Sequence, residues 1–380
     1  MKILYHHRIA SKDGQFVHVE ELTNALIEQG HQLYFVAPKV NENADFGGDG
    51  GFVSKLKKVL PRALYELLEL SYSLWVFIKL VVAIIKFKPD VIYERYNLHQ
   101  PAGVLAAKLF RLPLLLEINA PLVEERSKYS GLALQGFAKK IENFTWQTAS
   151  HCLPVTDVLA DYLRKISIPE SKITVIHNGV RQQFIDEMML QEINSHKKEI
   201  VIGFTGFINP WHGMDKALEA IAEHKELPLR LICVGDGNIL SDLRQQAEQL
   251  GIADKVDFKG LVTRDKVLDY VKEFDIALQP DVTAYASPLK MFEYMAVGAL
   301  IVAPKTPNIE EILTEDTALF FEKGDKTGFK EALTTAITSY KTLDCKRKAV
   351  KQSVLYKQFV WQENARKVVN LANITIARNR

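Results

Sequence analysis

Lys290 and Glu293 stand three residues apart in the run Asp281-Val-Thr-Ala-Tyr-Ala-Ser-Pro-Leu-Lys-Met-Phe-Glu-Tyr-Met-Ala-Val-Gly298, and side chains of these types at this spacing could hold a nucleotide. Ser287 and Pro288 read as the N-cap and first residue of a helix that stops at Gly298. A cation in the first turn opposes the helix dipole, and no Asp or Glu in that turn offsets Lys290. A bound anion would. Backbone N–H groups at a helix start together with a lysine suit a phosphate, and Glu293, one turn on, suits the paired hydroxyls of a ribose. The competing reading is a surface Lys–Glu pair at the (i, i+3) spacing, in the poorer of its two orientations. The motif alone leaves both open.

The elements that must position these residues repeat a strand, a turn and a helix. Lys2 to Tyr5 reads as a buried strand, Ala10 to Gln15 as a loop with Gly14, and the stretch from about Val17 as a helix ending at Gly30. His31 to Ala37, Val91 to Tyr93 and Pro113 to Ile118 continue the strands, and Pro101 to Leu109 is a helix. Glu94-Arg95 and Glu117-Ile-Asn119 fall at strand ends, where open α/β sheets meet ligands. Glu94 and Arg95 read equally as a structural ion pair, and Glu124, Glu125 and Arg126 as a solvated helix start. The polar stretch from Gln191 to Lys198 marks a linker. Beyond it the alternation restarts with Ile200 to Phe207, Leu231 to Gly237, Val256 to Gly260, Ile276 to Pro280 and Ile301 to Pro304.

Composition narrows the function class. The chain has 380 residues, 47% hydrophobic and 25% charged, with a net charge of +2, which excludes a disordered chain and gives no global basis for nucleic-acid binding. Cys152, Cys233 and Cys345 are widely spaced and fit a reducing compartment, and the start enters a strand directly, so a cytoplasmic protein is expected. Asp45 to Gly51 is glycine-rich and reads as a mobile loop. Val59 to Phe87 is strongly apolar, but Glu66, Glu69 and Lys79 argue against a spanning helix. One or two buried helices are the favoured reading. Peripheral docking at the inner face of a membrane is the other, supported by Lys55, Lys57, Lys58 and Arg62.

Ser287-Pro-Leu-Lys-Met-Phe-Glu-Tyr-Met-Ala-Val-Gly298 resembles the S-P-x-K-x-x-E-Y-M-A-x-G branch of the retaining glycosyltransferases of family 4. Val175-Ile-His-Asn-Gly-Val180 resembles the family's V-I-x-N-G-V turn, Val234-Gly-Asp-Gly237 its V-G-D-G segment, and Phe258-Lys-Gly260 its F-x-G segment. Ser287 to Lys290 with Lys326-Thr-Gly328 also matches the S-x-x-K and K-T-G of penicillin-binding serine enzymes, but no S-D-N lies between them.

The family-4 resemblance implies an α/β protein of the GT-B fold, two doubly wound Rossmann-like domains facing across a cleft. Residues 1–190 would form the acceptor-side domain, 191–358 the nucleotide-sugar domain, and 359–380 a helix crossing back to the first. The implied reaction moves a hexosyl group from a nucleotide diphosphate sugar to a hydroxyl of a glycan, lipid-linked or small-molecule acceptor, with anomeric retention, as in polysaccharide biosynthesis. Gly14, Gly206, His212, Gly235, Val262, Thr263, Ser287, Pro288, Leu289, Lys290 and Glu293 would bind the donor. Gln15, His18, Glu94 and Arg95 would face the acceptor, and Lys290, Asn119 and Tyr285 would serve catalysis. Tyr285 stands where the family has the first glutamate of E-x7-E, Asn119 where many members have a histidine, and Phe207 and His212 where an Arg and a Lys hold the diphosphate. Lys290 is then left as the main cation for the phosphates. With no Asp-x-Asp, neither a metal nor any other cofactor is expected beside the nucleotide-sugar co-substrate. A nucleotide-sugar epimerase and a non-catalytic sugar-nucleotide sensor stay open as alternatives. The base, sugar and acceptor are not legible here.

Overall fold

The computed structural model describes residues 1–10, 14–38, 60–193 and 197–379. The glycine run 45–51 and Lys55, Lys57 and Lys58 lie outside the described residues, as do Val59 and residues 11–13 and 194–196 of the expected helix, loop and linker. By contacts the chain divides into two compact units: Met1–His177 with Tyr285–Ser287 and Trp361–Arg380, and Asn178–Ala284 with Pro288–Val360.

The first unit is built on strands β1 (Lys2–His6), β2 (Gln32–Val36), β3 (Val91–Arg95), β4 (Leu114–Ile118) and β5 (His151–Pro154). They pair in parallel in the order β2-β1-β3-β4-β5. Its helices are α1 (Gly14–Glu28), α2 (Arg62–Phe87), α3 (Ala102–Phe110), α4 (Leu122–Tyr129), α5 (Gln135–Thr148) and α6 (Asp157–Lys165). The last helix of the chain, Trp361–Asn379, also belongs here and packs on α1. β3 and β4 are buried along their whole length, as a parallel sheet covered on both faces requires.

The second unit carries β6 (Ile200–Thr205), β7 (Leu229–Val234), β8 (Val256–Gly260), β9 (Ile276–Leu278), β10 (Leu300–Lys305) and β11 (Ala318–Glu322) in the parallel order β11-β10-β9-β6-β7-β8. Its helices include α7 (Gln182–Met189), α8 (Met214–Glu223), α9 (Leu240–Gln249), α10 (Arg264–Val271) and α11 (Leu289–Val297). α7 packs on α11, so the contact divide falls ahead of it, at His177 and Asn178, rather than in the polar stretch after Leu190. In each sheet the strand order reverses once, between β1 and β3 and between β6 and β9. Two neighbouring strand ends there diverge into helices on opposite faces and leave a crevice.

Three expectations change. Pro288, with φ −73° and ψ 119°, stands in the cap position expected for Ser287, so α11 starts one residue later, at Leu289. α1 begins at Gly14, so Gly14 and Gln15 open the helix rather than sit in a loop before it. The apolar stretch forms one helix, α2, buried on one face only: Val76, Leu80, Ala83 and Ile84 join the core, its acids point inward, Glu66 to the N–H groups of Ala133 and Leu134 and Glu69 to Arg126, while Leu74, Trp75, Ile78 and Ile85 face outward. The acids mark the inner face here, the reverse of the usual pattern for a globular helix.

Gly235 holds φ at +132°, and a Cβ there would lie 2.2 Å from the carbonyl oxygen of Gly206. That partner is backbone and cannot step aside. Gly235→Ala is therefore expected to destabilise the protein by more than about 2 kcal/mol, read as a lower denaturation midpoint, whereas Gly251→Ala, with φ +68° but nothing within 4 Å, should cost less.

Candidate functional site

β6 ends at Thr205 beside the reversal point of the second sheet, and α11 delivers Lys290 and Tyr294 to it. The Lys290 Nζ donates to the Thr205 carbonyl at 2.7 Å and lies 4.1 Å from the centroid of the Phe204 ring. Tyr294, one turn on, accepts the Thr205 N–H at its hydroxyl at 2.8 Å, and the two hydroxyls are 3.0 Å apart. Gly206 follows with φ +118°; a Cβ on it would be 3.4 Å from the Lys290 ammonium. Burial lowers the Lys290 pKa to about 7, with Glu293 pulling weakly the other way. The first turn of α11 contains no acid. This is a half-buried ammonium beside the glycine turn at Gly206, whose carbonyl is packed against Gly235.

Lys290 and Glu293 are not paired with each other as a surface Lys–Glu couple. The Glu293 carboxylate is buried and held by the Arg264 guanidinium from the first turn of α10. Val262 and Thr263 lead into that helix, Thr263 in the cap position, with Val262 half-buried and Thr263 exposed. His212 closes a short turn whose cap is Asn209; its Nδ1 accepts the Asn209 N–H at 3.1 Å and its ring lies 5.4 Å from that of Phe204. Burial, then the Lys290 charge, lowers its pKa to about 4, so it is neutral at physiological pH. Phe207 is exposed. Pro288 and Leu289 belong to this unit, and Ser287 to the first.

In the first unit, strand ends converge on Glu117. Its carboxylate accepts the Tyr93 hydroxyl at 2.7 Å, Arg95 at 2.5 Å and the Asn119 amide at 2.5 Å, and His18 Nε2 lies 3.0 Å away. Burial alone would raise its pKa, but the charges of His18 and Arg95 and the hydrogen bonds hold it well below the ordinary carboxylate range. His18 is buried edge-on against the Trp361 ring, 5.0 Å between centroids, rather than displayed toward a ligand. Glu94 and Arg95 do not pair, because adjacent strand residues point to opposite faces. Glu94 is instead buried against Gly103, with no hydrogen-bond partner for Oε2 among the described residues, and burial raises its pKa to about 8. Gln15 is exposed and Asn119 half-buried. Tyr285 gives its hydroxyl to Glu125, and its carbonyl accepts from Thr156 at 3.0 Å. Glu124 is exposed in the first turn of α4, as expected of a solvated helix start, whereas Glu125 and Arg126 are half-buried and paired with Tyr285 and Glu69.

Thr205, Tyr294 and Arg264 escaped sequence reasoning. Tyr294 follows Glu293 directly, but nothing in the spacing tells that its hydroxyl reaches a strand end. Among the described residues no group of three His, Cys, Asp or Glu is placed to hold a metal ion.

The model of Glycosyltransferase Family 4 matches residues 12–184, and that of glycosyl transferases group 1 matches residues 199–339. The chain is 25% identical over 237 residues to the putative colanic acid biosynthesis glycosyltransferase WcaL of Escherichia coli (strain K12), covering 60% of this chain and 57% of that protein. The chain therefore spans little more than half the length of that relative. Among solved structures, Anabaena Alr3699/HepE in complex with UDP matches with a TM-score of 0.69 at 16% identity, over 98% of this chain and 100% of the other. Sucrose-phosphate synthase from Thermosynechococcus elongatus matches with a TM-score of 0.71 at 15% identity, over 100% of both. The architecture of two parallel α/β sheets is that of the GT-B fold.

The Glu94 environment has a measurable consequence. A carboxyl whose pKa is raised from 4.5 to about 8 adds stability below its unfolded value, and that contribution is lost as pH rises through the folded one. Glu94→Gln is expected to keep the fold and to flatten the fall in unfolding free energy between about pH 4.5 and 8. Denaturant titrations at the two ends of that window would show it.

Proposed function

The chain belongs to glycosyltransferase family 4, and on that premise we propose that the protein transfers a hexosyl group from a nucleotide diphosphate sugar to a hydroxyl acceptor with retention of anomeric configuration. The observation that carries the reading is Lys290: a half-buried ammonium whose pKa burial lowers and which, among the described residues, donates to one carbonyl, at the start of a helix with no acid in its first turn. Such a group gains most from an anion whose charge is growing, as on a diphosphate that is losing its sugar. Gly206, which has no side chain beside the Lys290 ammonium, lets the phosphates reach the backbone, and Glu293, oriented by Arg264, takes the ribose hydroxyls. Val262 and Thr263 flank the base. Uridine is the base to test first, because Anabaena HepE was crystallised with UDP.

On the acceptor side, Gln15 stands exposed, whereas His18 and Arg95 serve to hold Glu117. Asn119, tied to Glu117 by its amide nitrogen, keeps its carbonyl oxygen for a sugar hydroxyl. The acceptor is proposed no further than a hydroxyl compound.

An anion beside Lys290 raises its pKa from about 7, so binding above that pH draws a proton from solution. At about one unit above it, UDP binding should take up roughly one proton, measured by calorimetry in buffers of different ionisation enthalpy, and Lys290→Ala should abolish the uptake. Lys290→Ala should also lower turnover more than donor affinity. Glu293→Ala should mainly weaken binding, since hydrogen bonds to a charged carboxylate are worth roughly 1.5–3 kcal/mol each, and should no longer discriminate against a 2′-deoxy donor. Binding without proton uptake would remove Lys290 from the diphosphate.

A further inference from the structure

α2 is about 39 Å long at 1.5 Å per residue, and its outward face is apolar along most of that length. Leu67, Leu74, Trp75, Ile78, Val82 and Ile85 are all exposed, Leu74 by 67% and Ile85 by 59%. α3 extends the face through Leu105 and Leu109, and an open groove of about 560 Å³ runs between the two helices from Leu70 and Leu74 to Leu109. Scattered exposed leucines are ordinary on a protein surface, but a continuous apolar face is not.

Charge decides what fits it. The acids of α2 are withdrawn, Glu66 buried on the backbone N–H groups of Ala133 and Leu134 and Glu69 engaged by Arg126. The cations point out: Lys79 lies 3.6 Å above the exposed Trp75 ring, Lys86 is one turn from Val82, and Lys108 lines the groove. Between residues 60 and 111, Asp90 is the exposed acid. It lies beyond the helix and holds the Lys2 N–H. An apolar face rimmed by cations, with no exposed acid on α2 or α3, complements an anionic lipid surface, where lysine stems lie along the acyl region and their ammoniums reach the headgroups.

We propose that the α2–α3 face docks the first unit onto an anionic bilayer, with α2 lying in the interfacial plane. α2 does not cross the bilayer, because Val76, Leu80, Ala83 and Ile84 are packed into the core of the unit and both glutamates anchor the helix to it. A second copy of the chain fits the face poorly, since pairing like with like would set cations against cations with no acid on either side. The proposal is independent of the nucleotide reading.

The test is sedimentation of the purified chain with phosphatidylcholine vesicles, with and without about a third of phosphatidylglycerol. Binding is expected to the anionic vesicles, to weaken steeply as salt rises, and to shift the Trp75 emission to the blue. Lys79→Ala with Lys86→Ala should reduce partitioning roughly twenty-five-fold at about fivefold per lysine, with an unchanged melting transition. Ile78→Ser with Val82→Ser should abolish the emission shift. Absence of binding to anionic vesicles at low salt overturns the proposal, as does binding that the lysine and serine variants leave unchanged. Self-association in lipid-free buffer that Trp75→Ala removes would reassign the face to a second copy and overturn it too.

Discussion

Lys290 and Tyr294 lie one helical turn apart and take hold of the same residue at the end of β6: the lysine donates to the Thr205 carbonyl and the tyrosine accepts its N–H. Both backbone polar groups of Thr205 are thereby committed to one helix, so the strand end and the start of α11 move as a single piece. What surrounds them follows from that clamp. Gly206 must turn away at φ +118°, Gly235 must leave room for the Gly206 carbonyl, and the Phe204 ring must lie beneath the ammonium. Preorganisation of this kind lets charge be stabilised without rearrangement when it appears.

Each unit keeps a charge away from water at its strand ends, and the two are compensated differently. Glu117 is surrounded by Tyr93, Arg95, Asn119 and His18 and is held firmly ionised. Among the described residues Lys290 has one neutral carbonyl and a buried carboxylate beyond it, and its pKa falls. A fully compensated buried ion behaves as framework, since removing any one partner would strand it. An under-compensated one is the place where a ligand changes the electrostatics most.

The fold was legible because its signal is redundant. Buried strands, glycine turns and amphipathic helices recur often enough that misplacing Ser287 or the start of α1 by a few residues changed nothing in the architecture. The placement of Lys290 and Glu293 in the first turns of a helix was legible, because it is a local property. Their partners, Thr205 and Arg264, are distant in sequence and supplied by tertiary packing, which spacing does not encode. Glu94 reads in the sequence as half of an ion pair or as an acceptor-side residue, and the α2 stretch as buried helix, and neither reading fixes the face that a carboxylate takes. The structure buries Glu94 against Gly103 and turns Glu66 and Glu69 inward, and in neither case does residue type reveal which face the side chain takes.

The first unit is assembled from three separated pieces of chain, the last of them Trp361–Arg380, while the second is enclosed between them. During synthesis this fixes an order. All of β6 to β11 has left the ribosome before Trp361 can close over His18 and before the final helix can cover α1. The unit whose strands are made first is thus the later one to be completed, and for the intervening time it presents the apolar flank of α1 uncovered. A nascent chain in that condition offers chaperones a binding surface that the finished protein no longer has.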